Sequence, residues 1–217
     1  MKRITLALAI TASLTAGACL VKDTTSTICL RQDGSFDWVI VEQNVRSDES
    51  DEASRLAEEA GYVDAVSRGD GDVVKGLLAL GGEDVRVQWL RSRRPYAVMV
   101  DARFDSLAGM FDRLLAPCGV PYDSRLTESD GVTTWTLWAD VGLDGERLTE
   151  HGGEACGEGV GGLDDAFEEL RIILESGTFT AATGFTLEGN GAAVIDQAAL
   201  DERCKTTGLV ELSLSWR

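Results

Sequence analysis

Apolar residues recur along this chain with two different periods, and the changes between them predict its elements. Ile28 to Leu30 and Phe36 to Val41 flank Arg31-Gln32-Asp33-Gly34. The Asp-Gly step marks a tight turn, and Phe36, Trp38 and Ile40 fall on one face, so a hairpin is expected. Ser50 to Arg68 changes to three- and four-residue spacing through Ala53, Leu56, Ala57, Ala60 and Val63, the pattern of an amphipathic helix. A shorter helix is expected over Asp72 to Leu80, stopping at Gly81-Gly82. Alternation returns with Val85, Val87 and Trp89 facing inward. Arg91 to Pro95 then turns the chain, and Tyr96 to Phe104 comes back as a strand. Asp105 to Leu115 carries Leu107, Met110, Phe111, Leu114 and Leu115 on one side, as a helix laid on a sheet does.

In the second half, Val132 to Ala139 predicts a strand whose tryptophans, Trp135 and Trp138, point to opposite faces. Either both faces are covered or one indole is displayed. Gly142 to Gly162 is glycine-rich and acidic without periodicity, and reads as a long loop. Asp164 to Glu175 is expected to be helical, with Phe167, Leu170, Ile173 and Leu174 inward and a capping-box-like Asp165-x-x-Glu168 start. Thr178 to Leu187, Ala192 to Ile195 and Leu209 to Trp216 read as strands. The last sets Val210, Leu212, Leu214 and Trp216 against Glu211, Ser213 and Ser215. Hairpins joined by isolated helices predict an α+β fold: an antiparallel β-sheet of hairpins with three or four amphipathic helices packed mainly on one face.

The N-terminus changes the picture. Lys2 and Arg3 precede the apolar run Ile4 to Leu14, which the small residues Thr15-Ala16-Gly17-Ala18 connect to Cys19. A bilayer-spanning helix needs about 20 apolar residues. This run is shorter, and its order is that of a cleaved export signal. No Pro/Ser-rich linker divides the remainder, which holds all three prolines. The expected organisation is a signal peptide over 1–18, a Thr/Ser-rich tether over 19–27 and one α+β domain over 28–217.

Leu14-Thr15-Ala16-Gly17-Ala18-Cys19 resembles the lipobox of bacterial lipoproteins, with Ala16 where that family usually has Leu. The resemblance implies that Cys19 is diacylated and becomes the mature N-terminus. Acyl chains, contributing about 0.8 kcal/mol per buried methylene, would then hold the body at a membrane face. Leu20 stands where Asp marks inner-membrane retention, which implies the outer membrane in a Gram-negative source. Ala16-x-Ala18 also fits an ordinary secretory cleavage site, which would give a soluble secreted protein. With Cys19 lipidated, Cys29, Cys118, Cys156 and Cys204 remain, enough for two disulfides in an oxidising compartment. Among the three connectivities, 29–204 would fasten the terminal segments and leave 118–156 to brace the middle.

Charge and motifs narrow the chemistry. The chain carries 20 Lys+Arg against 37 Asp+Glu, a net charge of −17 that deepens to −19 once Lys2 and Arg3 are removed. Such a field repels phosphate backbones, so nucleic acid is not an expected partner. His151 is the only histidine and no Gly-x-Ser-x-Gly elbow occurs, which disfavours a Ser–His hydrolase. His151, Glu154, Cys156 and Glu158 are close in sequence but read as a solvated loop rather than a zinc site. Asp140-Val-Gly-Leu-Asp144-Gly145-Glu146 partly resembles an EF-hand loop, yet His151 stands where a bidentate Glu is required. That leaves Asp140, Asp144, Glu146 and Glu150 as candidates for an irregular calcium loop, and no other cofactor is expected. Trp38, Trp89, Trp135, Trp138 and Trp216 could stack on sugars, but most sit at inward positions where core packing is the ordinary explanation. Arg91, Arg93 and Arg94 form the one basic cluster, a solvated turn or a contact for an acidic partner.

The resulting expectation is a non-catalytic, lipid-anchored envelope protein with a binding or structural role, its ligand open. The alternatives are a hydrolase using carboxylates gathered in a cleft beside Trp138, and a calcium-dependent binding module using the 140–158 loop.

Overall fold

β1 (Leu20–Leu30) and β2 (Phe36–Ser47) form the expected hairpin, and both strands run further than the apolar pattern alone required. Gly34 turns the chain at φ +84°, and Asp33 Oδ1 accepts from Ser35 N at 3.0 Å. The computed structural model describes residues 20–143, 163–168 and 170–217. The expected tether is therefore strand from Leu20 onward: Leu20 pairs with Ser47 and Thr25 with Val41. Threonine and serine suit a pleated, half-buried ladder as well as a linker, and Ser26, Ile28 and Leu30 already point into the core.

Two sheets share one core. In the larger, β3 (Glu83–Arg91), β4 (Tyr96–Phe104), β2, β1, β7 (Leu170–Leu174), β10 (Ala192–Ile195) and β9 (Phe185–Glu188) lie in that order. In the smaller, the order is β5 (Tyr122–Ser129), β6 (Val132–Asp140), β11 (Leu209–Trp216) and β8 (Phe179–Thr183). All pairings are antiparallel except β1 with β7. The α+β class holds, although one sheet was expected and two are present.

Five helices are described. α1 (Glu52–Ser67) packs on β2, and α2 (Asp72–Ala79) on β3 and β4. α3 (Leu107–Leu115) lies on β5 and β6, the five-residue α4 (Asp164–Glu168) on β1, and α5 (Gln197–Thr207) on β11. α3 buries all five residues predicted for its face, and Phe111 stacks on Trp135 at 5.1 Å between ring centres. Phe36 stacks on Phe104 at 4.8 Å, and Trp38 Nε1 donates to Ser26 Oγ at 2.7 Å. Large aromatic groups with satisfied polar edges thus dominate the interior.

Three expectations need correction. α1 buries Glu59 and Val66, while Leu56, assigned to the inner stripe, is 53% exposed. The helix is rotated because Glu59 is captured: its Oε1 accepts from Ser47 N at 3.1 Å and pairs with Arg94 at 3.1 Å. The helix expected over Asp164 to Glu175 stops at Glu168, and Leu170, Ile172 and Leu174 enter the core with period two as β7. Adjacent β-branched isoleucines and the free edge of β1 favour strand there. α5, where no helix was expected, is capped by the Asp196 side chain accepting from Ala199 N at 3.1 Å and ended by Gly208 at φ +71°.

Candidate functional site

Glu42 carries the feature on which the site is built. It follows Phe36, Trp38 and Ile40 on the inward-facing side of β2, so alternation sends its carboxylate where the preceding side chains are apolar. The residue is 3% exposed. Burying a charge costs several kcal/mol unless it is paired and hydrogen-bonded. Both carboxylate oxygens are satisfied: Lys22 Nζ from β1 pairs with Oε1, and Tyr62 OH from α1 donates to Oε2 at 2.7 Å. Burial first, then the adjoining Glu42 carboxylate, push the Tyr62 phenol far above its ordinary range, so it remains a donor.

This triad lines a cleft of about 430 Å³ between the larger sheet and the α1–α2 pair. Leu20, Val66, Val73, Val74 and Val100 supply apolar walls, with Glu58 and Asp72 also lining it. Glu58 Oε2 is enclosed and has no hydrogen-bond partner. Tyr62 meets Trp89 edge-on at 6.3 Å, which couples an indole to the state of the cleft. An apolar pocket with a few convergent polar groups at one end is the ordinary form of a small-molecule site.

The displayed indole is Trp138. Trp135 is fully buried, whereas Trp138 is 37% exposed on the outer face of the smaller sheet. It lies in a shallow groove of about 270 Å³ with Asp123, Thr136, Thr183, Glu211 and Ser213. Asp123 and Glu211 are its direct cross-strand neighbours, each engaged by its own arginine, Arg125 and Arg203 respectively. A groove with carboxylates beside Trp138, which the hydrolase alternative required, is therefore present.

The other candidates are dispersed. Cys29 lies on the outer face of β1 with a free thiol, so the 29–204 bond is not formed. The physical reason is strand alternation, which turns Cys29 away from the core while Cys204 is buried in it on α5. Burial, then Glu175 and Asp37, push the Cys29 thiol up, with Arg31 opposing them. Cys118 is buried in the 3₁₀ turn Ala116–Cys118 and is disulfide-bonded. Cys19 and Cys156 lie outside the described residues. Asp140 ends β6, its Oδ1 accepting from Gly142 N at 3.2 Å. The other calcium candidates, Asp144, Glu146 and Glu150, and the zinc candidates His151, Glu154, Cys156 and Glu158 lie outside the described residues. Among the described residues no three carboxylate, histidine or cysteine groups gather as metal ligands. The basic turn is partly consumed within the fold: Arg94 pairs with Glu59, and Arg91 donates to Pro95 O at 3.1 Å. No helix among the described residues is long and apolar enough to cross a membrane.

Lys22, Glu42 and Tyr62 escaped the sequence reading. The available signal was a glutamate at an inward position of a strongly alternating strand. Comparison with known proteins adds little. No family model matches the chain, and no curated protein matches it. Among solved structures, it is similar to the folded domain of the LppM protein of Mycobacterium tuberculosis, determined by NMR. The identity is 13% over 93% of this chain and 91% of that one, with a TM-score of 0.35. At that score the likeness carries no argument about function.

Proposed function

We propose that this chain is an exported, lipid-anchored binding protein of the cell envelope, and that its ligand seat is the cleft between the α1–α2 pair and the larger sheet. The observation that carries the reading is the Lys22–Glu42–Tyr62 triad in the wall of a cleft with apolar sides from Leu20, Val66, Val73, Val74 and Val100. A buried ion pair is a poor way to stabilise a fold, since apolar groups of similar volume often do as well or better. Its presence in the wall of an open cleft suits a second task, orienting the polar end of a mainly apolar ligand. Glu42 is already taken up by Lys22 and Tyr62, an arrangement that holds a group in place and offers no nucleophile. The leader ending at Cys19 supports export and anchoring, and Leu20, the next residue, lines the cleft.

The test uses a neutral fluorescent apolar probe, N-phenyl-1-naphthylamine, with the mature protein. Saturable one-to-one enhancement of its emission is expected, weakened at least tenfold in Val74→Trp, which fills the cleft from α2. Enhancement that is equal in wild type and V74W, or absent from wild type, overturns the assignment of the seat. Intact mass from a lipoprotein-competent bacterium tests the anchor separately. Residues 19–217 plus acyl chains are expected, and an unmodified chain cut after Ala18 overturns it.

A further inference from the structure

The groove around Trp138 is separate from the cleft and has a different chemistry. Strand alternation puts Asp123, Trp138 and Glu211 side by side on the outer face of β5, β6 and β11. Two residues further along, the same face presents Arg125, Thr136, Ser213 and Thr183 in the next cross-strand row. The result is one indole plate in a field of hydroxyls, with a carboxylate on either side. Arg125 Nε donates to Asp123 Oδ2 at 2.8 Å, and Arg203 from α5 pairs with Glu211, so both carboxylates are held in place.

We infer that this face binds an uncharged pyranose glycan, one ring stacked on Trp138 and its hydroxyls bonded by Asp123 and Glu211. A sugar ring has an apolar C–H face and a polar hydroxyl rim. It therefore needs a flat apolar plate next to acceptors that take hydrogen bonds from O–H groups, and ionised carboxylates make these bonds short and strong. Protein partners match the surface poorly, because interface cores are enriched in aromatic groups but depleted in serine and acidic residues. Anionic glycans are disfavoured by the −17 charge of the chain. A groove of about 270 Å³ falls below the usual range for drug-sized ligands, about 300–1,000 Å³, and suits a single ring of a longer chain.

The experiment records the five indole N–H resonances of the mature protein by ¹H–¹⁵N NMR. Maltotriose, mannotriose and N,N′,N″-triacetylchitotriose are added to about 20 mM. At least one sugar is expected to shift the Trp138 indole saturably and leave those of Trp38, Trp135 and Trp216 unmoved. Trp138→Ala should weaken binding at least tenfold. Because that variant also removes the reporter, Glu211→Gln serves as the second. Its Trp138 resonance remains visible, and its affinity is expected to fall several-fold. Silence of the Trp138 indole toward all three sugars overturns the proposal, as does a shift that persists with equal affinity in E211Q.

Discussion

Lys22→Met is the most demanding test of the cleft. The substitution keeps the length of the side chain and removes its ammonium, leaving the Glu42 carboxylate, 3% exposed, with Tyr62 as its remaining hydrogen-bond partner. Breaking one side of a buried pair typically costs about 3–5 kcal/mol. The Lys22 side chain is itself 21% exposed, so water reaches part of the vacated site and about 2–4 kcal/mol is expected here. In a chain of this size that corresponds to a fall in Tm of roughly 5–15 °C. The second substitution, Glu42→Gln, removes the stranded charge, so Lys22→Met/Glu42→Gln should recover most of the loss. Equilibrium denaturation in guanidinium, followed by circular dichroism with an unchanged m-value, measures both. If K22M costs less than about 1 kcal/mol, or the double variant is no more stable than K22M, the pairing is not what holds Glu42 in the interior.

Three further outcomes follow from local geometry. Gly76→Ala would ordinarily help a helix by about 0.5–1 kcal/mol, but a Cβ there meets Leu163 Cγ at 2.7 Å, and Leu163 is fully buried. Overpacking of about 1–3 kcal/mol should dominate, so a lowered Tm is expected and a raised one would show that Leu163 can yield. Ser106→Ala removes the α3 cap, in which Ser106 Oγ accepts from Gly109 N at 3.1 Å, and should cost about 1 kcal/mol in chemical denaturation. For Cys29, burial and neighbouring carboxylates raise the thiol pKa, so less thiolate is present at pH 8 than for an ordinary cysteine. Its alkylation by iodoacetamide, read on the Cys29 peptide by mass spectrometry, should be slow there, accelerate as pH rises, and be faster at pH 8 in Glu175→Gln. An unchanged rate in that variant would remove Glu175 from the explanation.

What the sequence made legible follows the strength of each periodic signal. α3 and β11 were read correctly to the inward residue because their apolar positions are large and the intervening ones polar. α1 was misread because its stripe was mostly alanine, and small side chains contribute little burial to decide a rotation. The charged Glu59, fixed by Arg94 from the β3–β4 turn and by the Ser47 amide at the end of β2, set the face instead. β7 reads as helix in the sequence because Leu170, Ile173 and Leu174 match helical spacing as well as Leu170, Ile172 and Leu174 match a strand. The choice depends on β1 offering a parallel edge 144 residues earlier, which no local window contains. The sequence leaves two options for Trp135 and Trp138, and the placement of α3 against one face of β6 decides between them.

The strand that replaced the expected tether bears on how the two proposed sites are disposed. β1 starts at Leu20, directly after the proposed lipidation site, so no slack separates such an anchor from the folded body. Leu20 and Lys22 line the helix–sheet cleft, which places that cleft beside the start of β1. Ten residues later, at about 3.3 Å per residue, the strand ends some 33 Å away. The smaller sheet also touches the turn that follows β1: Trp216 Nε1 donates to Gln32 O at 3.4 Å, and Leu126 covers Gly34. The cleft and the groove share no lining residue, which suits a protein that holds two unlike molecules at once. It requires that filling the cleft leave Trp138 unaffected, so saturating N-phenyl-1-naphthylamine should shift the Trp89 indole and leave the Trp138 indole in place.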